Sequence, residues 1–195
     1  KEEPEVIGNP NGPNKISKGR VRFENVWFSY DGKNWVLKDI NLDFQPGKLY
    51  AIVGETGGGK STLMSLINGL YIPQKGNIFI DEIPLLEYNL KLVRKQIAAV
   101  PQDVLLFSGT ILDNIRLFDE SIPEERVLEA LKRVHALDII ERLPGGVYYE
   151  IVERGTTLSA GERQLIALAR AVLFDAKIFI LDEATSNVDV ITETK

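Results

Sequence analysis

Eight consecutive residues, Gly54-Glu55-Thr56-Gly57-Gly58-Gly59-Lys60-Ser61, constrain this chain more than any other stretch. They fit the phosphate-loop pattern G-x-x-x-x-G-K-[ST] at every fixed position. Glycines let the backbone curl until successive N–H groups point at one phosphate. A helix starting directly behind them adds the positive end of its dipole. Lys60 supplies a point charge for the β- and γ-phosphates, and the Ser61 hydroxyl is a ligand for Mg²⁺. The flanks agree with the motif. Leu49-Tyr50-Ala51-Ile52-Val53 is a short apolar run that reads as a buried parallel strand. Ser61 to Ile67 has helical character, with Asn68-Gly69 as its stop. The bland reading, a glycine-rich turn between strand and helix, leaves the lysine and the hydroxyl unexplained.

A chain of 195 residues suits one domain, or one domain with a subdomain. The net charge of −5 announces no broad basic surface, so no nucleic-acid partner is expected. With no cysteine, disulfides and thiol catalysis are excluded. No run approaches a membrane span, and the charged N-terminus is no signal peptide. Work at a membrane therefore requires another segment or chain.

Residues 1–19, rich in Pro, Gly, Asn and charge, read as a linker or exposed arm, and 20–195 as the folded domain. Val21 to Tyr30 and Val36 to Phe44 alternate as strands around the turn signal Asp31-Gly32-Lys33-Asn34. Tyr30 either packs or stacks on a base, since an aromatic ring accepts any base face. Asn77 to Asp81 is a further strand, Leu90 to Ala98 a weak helical segment, and Pro101 marks a strand edge or exit. Pro123-Glu124-Glu125 opens a clear helix with acids in its first turn and a stripe of Val127, Leu131, Val134 and Leu137. His135, the one histidine, lies on that helix without a second metal-type ligand at helical spacing and reads as an ordinary helix residue. From about 103 to 174 the pattern is mostly helical, which reads as a helical subdomain inserted in an α/β core.

Two later stretches carry chemistry. Ser159-Ala160-Gly161-Glu162 opens a helix; Ser159 with Glu162 makes a capping box, while the small residues would also leave N–H groups free for an anion. Lys177 to Leu181 is an apolar strand that runs into Asp182 and Glu183. Ligands of open α/β sheets sit at the carboxyl ends of strands. Asp182 would hold Mg²⁺, and Glu183 would orient or deprotonate the attacking water.

Together these pieces resemble the nucleotide-binding domain of ABC transporters of the exporter type, from about Arg20 to Asp189. The implied fold is α/β, a P-loop NTPase core with a β-rich N-terminal subdomain and an inserted α-helical subdomain, as in ABC ATPases. Tyr30 matches the base-stacking A-loop aromatic. Gly54, Glu55, Thr56, Gly57, Gly58, Gly59, Lys60, Ser61 and Thr62 match Walker A, with Gly58 where serine or cysteine is common. Gln102 matches the Q-loop, which touches Mg²⁺ and the membrane domain. Glu150 to Gly155 resembles the exporter X-loop, with Val152 in place of its usual glycine. Leu158-Ser159-Ala160-Gly161-Glu162 sits at the signature LSGGQ, Ile178 to Glu183 matches Walker B with its catalytic glutamate, and Asp189 lies in the D-loop resemblance. The resemblance implies an ATP-hydrolysing domain with ATP and Mg²⁺ as cofactors, in which Lys60, Gln102 and Glu183 serve catalysis and Ser61, Gln102 and Asp182 hold the metal. It also implies a head-to-tail second nucleotide-binding domain, the transmembrane domain of an exporter N-terminal to Lys1, and a place on the cytoplasmic face of the cell (inner) membrane.

Two departures shape the expectation. The signature reads LSAGE: Ala160 adds a methyl group where backbone meets phosphate, and Glu162 adds negative charge near a polyanion. Glu183 makes this chain's own Walker site look competent while its signature looks impaired, which points to a heterodimer whose partner carries a regular LSGGQ; the alternative is a homodimer in which Ala160 and Glu162 are tolerated variants. The switch histidine expected some thirty residues beyond the D-loop is missing from the sequence, so the isolated chain is expected to be a weak or inactive ATPase. The competing readings are a DNA-repair or chromosome ATPase of the SMC type, whose signatures often end in Glu but whose Walker motifs are separated by a long coiled coil, and a nonhydrolysing regulatory module, against which Lys60, Asp182 and Glu183 speak.

Overall fold

The computed structural model describes residues 6–55, 57–101, 104–152 and 157–181. The chain forms two compact units, Lys1–Ala98 and Ala99–Lys195.

The first unit is built on an antiparallel sheet of order β2-β1-β3-β4. Strand β1 (Val21–Phe28) pairs on one side with β2 (Leu37–Phe44) and on the other with β3 (Lys75–Ile80), and β4 (Ile83–Pro84) closes the edge. Alternation buries Val21 and Phe23, then Val26 and Phe28. The extra residue between the two pairs is a bulge: both ladders shift register after residues 23 and 24, and Asn25 takes φ 48°. Asp31 closes the turn into β2 by accepting from the N–H groups of Lys33 and Asn34 at 2.8 and 2.7 Å, and these bonds hold its carboxyl well below the usual carboxylate range. Helix α1 (Lys60–Ile67) buries Thr62, Leu63, Leu66 and Ile67. It stops where the motif's Asn68-Gly69 predicts, with Gly69 at φ 64°. The Arg94 guanidinium lies on the freed carbonyls of Asn68 and Gly69 at 3.1 and 2.8 Å, a cation at the negative end of the helix.

Residues 6–19 are tied along this unit. Asp81 accepts from the backbone N–H groups of Ser17, Lys18, Gly19 and Arg20 at 2.7–3.0 Å, the Asn89 N–H donates to Pro13, and Ile16 is buried. Helix α2 (Leu90–Val93) is a single turn, continued by a 3-10 turn at Arg94–Gln96, so the weak helical segment is shorter than the sequence suggests. Strand β5 (Ile97–Val100) follows, and Pro101 comes directly after it.

The apolar run ahead of the glycine loop also departs from expectation. Leu49–Val53 is not a buried strand: it is coil, with Leu49 and Val53 exposed to 95% and 89%. An apolar run reports a preference for burial, but a parallel strand also needs ladder partners, and among the described residues none pairs with it. The segment is instead held by the Tyr50 hydroxyl, which accepts from the Gln45 N–H at 2.9 Å, and by the Tyr50 ring set edgewise on Phe44.

In the second unit a two-residue ladder of β6 (Gly109–Thr110) and β7 (Glu150–Ile151) accompanies α3 (Ile111–Arg116), α4 (Glu124–Arg133), α5 (Leu137–Glu141), α6 (Ala160–Leu173) and β8 (Ile178–Leu181). Ile111, Ile115, Val127, Leu131, Ile140 and Ile166 are fully buried at the centre of their core. The predicted stripe of α4 breaks before Leu137. The Ala136 N–H donates to Leu131 and the His135 N–H to Lys132, the pattern of a Schellman ending, and His135 takes the left-handed position at φ 55°. His135 is therefore an exposed residue just past the helix rather than within it.

Candidate functional site

The described residues of the glycine-rich stretch lead directly into α1. Gly59 caps the helix at φ 87°, and a β-carbon there would come within 2.7 Å of the Leu37 Cδ2 atom, so position 59 needs glycine on two counts. Gly57 is also left-handed, at φ 81°. The Gly58 N–H donates to Glu55 at 3.0 Å, closing the loop as a tight turn. Lys60 is the first helical residue, and its ammonium donates to the carbonyls of Gly54 and Glu55 at 2.7 and 2.9 Å. The charge is thus held over the rim of the loop by two neutral acceptors. Ser61, exposed, and Thr62, buried, occupy the first turn.

Tyr30 joins this site from the far end of β1. Its hydroxyl lies 3.0 Å from the Thr62 hydroxyl, and the residue is 53% exposed. Two rings stand perpendicular to it, Phe28 with centroids 4.8 Å apart and Tyr71 at 5.2 Å. Beside them opens a cleft of about 370 Å³ lined by these rings, Leu70, Ile72 and Gln74 among others. The structure therefore brings Tyr30, 32 residues away in sequence, onto the first turn of the phosphate-loop helix. The sequence reading missed Phe28 and Tyr71. Their signal was weak: one is an ordinary inward residue of a strand, the other a lone aromatic in a helix exit.

In the second unit the capping box at the start of α6 is formed in both directions. The Ser159 N–H donates to a Glu162 carboxylate oxygen at 2.7 Å, and the Glu162 N–H donates to the Ser159 hydroxyl at 3.2 Å. A carboxylate therefore already sits at the helix end where an anion would approach Ser159, Ala160 and Gly161. Further along α6, the Arg170 guanidinium donates to the Asn114 carbonyl at 2.7 Å, to its side-chain oxygen at 3.0 Å and to Leu105 at 3.0 Å. Burial pushes Arg170 down to about 10. Asn114 in turn donates to Phe107 and Thr110 and accepts from the Phe107 N–H, so it knits the segment before α3 to α6. Neither residue was singled out from sequence, because a polar side chain inside an apolar stripe gives no periodic signal.

Thr56, Gln102, Asp182, Glu183 and Asp189 lie outside the described residues, as do Glu153, Arg154 and Gly155 of the X-loop resemblance. Pro101 and Leu181, the residues that lead into Gln102 and Asp182, follow and end strands β5 and β8 respectively. Among the described residues no group of three or more histidines, cysteines or acids converges on a metal position.

A lysine in the first turn of a helix, behind two left-handed glycines and one turn-mate of a threonine that holds a tyrosine hydroxyl, is the arrangement of a nucleotide-binding domain of the phosphate-loop class. Comparison with known proteins narrows the class. The ABC transporter family model matches residues 37–186, well over half of the chain. The ATP-dependent lipid A-core flippase of Pseudoalteromonas atlantica is 46% identical over 179 residues, 91% of this chain and 31% of that protein. An ATP-binding/permease protein of Bacillus subtilis named for multidrug resistance is 44% identical over 90% of this chain and 26% of its own length. A bacterial Atm1-family ABC exporter solved with ATP bound superposes with a TM-score of 0.90 at 36% identity, over 98% of this chain and 34% of that one. The chain belongs to the ABC transporter family and has the fold of its ATPase domain. It spans about a third or less of the relatives it matches.

Proposed function

We propose that this chain is the ATP-hydrolysing engine of an ABC exporter, working on the cytoplasmic face of the cell membrane beneath a transmembrane domain. The observation that carries the reading is the Lys60 ammonium poised over the glycine loop at the start of α1. Phosphoryl transfer needs little covalent chemistry from the protein; it needs positioning and charge neutralisation. The loop N–H groups and Lys60 supply these for the β- and γ-phosphates, and Tyr30 offers a ring to the adenine. Glu183 orients or deprotonates the attacking water. The oxygen donors of Ser61, Gln102 and Asp182 suit Mg²⁺, a hard cation that prefers such ligands and supplies charge neutralisation when bound; the exposed Ser61 hydroxyl in the first turn of α1 fits that role. Residues 20–195 form the nucleotide-binding domain, and its helical subdomain runs over about 103–174. The SMC-type alternative finds no support: the longest helix among the described residues has 14 residues, far from a coiled-coil arm.

The partner is a second nucleotide-binding domain, docked head to tail, with each ATP between one Walker A and the other chain's signature. The formed capping box supports a heterodimer. Glu162 spends its carboxylate on Ser159 and puts negative charge where a γ-phosphate would come. A site facing this signature holds ATP poorly for turnover, whereas the site built on Lys60 and Glu183 needs only a regular signature from its partner. The test is nucleotide binding by the full-length transporter with Lys60→Ala. Binding at this chain's site is expected to fall by about 10-fold or more, as for loss of a charged hydrogen-bonding group, with the thermal transition unmoved; unchanged binding would refute the site.

A further inference from the structure

We infer that Tyr71 is a positioning residue of the base subsite, one that fixes the face Tyr30 presents to a nucleobase. The inference rests on the reading of Tyr30 as the base platform. Tyr30 lies two residues beyond β1 and ahead of a turn, with half of its surface in solvent, so the sheet alone does not hold its ring. Three contacts do. Its hydroxyl is tethered to Thr62, Phe28 stands perpendicular at 4.8 Å, and Tyr71 stands perpendicular at 5.2 Å. Phe28 and Tyr71 also meet, at 5.5 Å and 51°, so the three rings close a triangle. Edge-to-face contacts of this kind are directional and resist rotation of the ring they flank.

The three members differ in kind. Phe28 is buried and belongs to the core of the sheet. Tyr71 is only half-buried and stands two residues past Gly69, where α1 ends. Helix α1 therefore grips Tyr30 from both ends, through Thr62 in its first turn and Tyr71 beyond its last. The phosphate loop and the base platform are thereby set at a fixed separation. A ring held in this way loses less freedom when a base stacks on it, and the saving appears in affinity for the base alone.

The experiment measures equilibrium binding of ATP and of inorganic tripolyphosphate to the full-length transporter, in chelator and without turnover. Tyr71→Leu keeps apolar bulk and removes the ring; Tyr71→Ala removes both. Both variants are expected to weaken ATP by about 3- to 10-fold, the scale of one aromatic contact, and to leave tripolyphosphate unchanged. Tyr71→Phe is expected to bind ATP as the wild type does. Equal weakening of both ligands would show a fold-holding role and overturn the inference, as would wild-type ATP affinity in Tyr71→Leu or a loss in Tyr71→Phe. Tyr30→Ala separates the two readings. If it leaves ATP affinity unchanged, the base platform itself is wrong; if it weakens ATP while Tyr71→Leu does not, only the inference about Tyr71 falls.

Discussion

Replacing Glu162 by Gln should move stability and nucleotide handling in opposite directions. In the structure the Glu162 carboxylate both accepts from the Ser159 N–H at 2.7 Å and places a charge in the first turn of α6. Glutamine keeps an acceptor for that N–H but exchanges a charge-assisted bond for a neutral one, a difference of about 1 kcal/mol. Loss of the charge at a helix N-terminus costs about 0.3–1 kcal/mol more. The folded state should therefore lose ~1–2 kcal/mol, a fall in Tm of ~2–8 °C for a domain of this size. At the signature the sign reverses. A unit charge ~8 Å from a phosphate oxygen repels it by ~0.5–2 kcal/mol for an effective dielectric between bulk water and a protein surface. Retention of ATP at the site facing this signature should rise by ~2- to 30-fold. The assay is thermal unfolding of the full-length transporter beside trapping of labelled ATP, each at low and high salt, since the electrostatic gain must shrink as screening grows. A variant that is destabilised and also traps less ATP would refute the view that Glu162 is a self-supplied anion at this helix end.

Asn114→Ala should cost about 2–4 kcal/mol in urea unfolding, because Asn114 is 0% exposed and its loss removes the side-chain partner of the Phe107 N–H and carbonyl and of the Thr110 carbonyl, and one of the three acceptors of Arg170; a loss under about 1 kcal/mol would contradict the network. Asp113, held down by the Thr110 hydroxyl and by Arg116, has a folded pKa below its unfolded one. Its contribution is thus complete above the ordinary aspartate value of about 3.9 and lost as pH falls through the lower folded value. The stability gap between the wild type and Asp113→Asn should be constant from neutral pH to about 5 and then close on acidification; a gap that widens in acid would reverse the assignment.

The residues that speak most clearly in the sequence are those whose chemistry is local. The glycines and Lys60 of the loop, the Ser159–Glu162 box and the Asp31 turn each act within a few positions, so spacing alone reveals them. The strands β1 and β2 are legible through alternation even across the bulge at Asn25. What escaped depends on long-range pairing. Leu49–Val53 carries a strand's composition, but composition does not supply a ladder neighbour. The attachment of residues 6–19 runs through backbone N–H groups donated to Asp81 and Tyr88 carbonyl contacts, which leave no side-chain period. The grip of Phe28 and Tyr71 on Tyr30 joins three separate segments, and the break at His135 is set by backbone bonds that an apolar stripe passes over.

The central claim is that this chain carries a hydrolysing site of its own, and Glu183→Gln tests it most directly. In the full-length transporter with its natural partner, this variant should bind ATP as tightly as the wild type, while turnover falls by about 10²–10⁴-fold, the scale of a general base. ATP would then be recovered unhydrolysed from the complex. Hydrolysis at the wild-type rate in that variant would contradict the account.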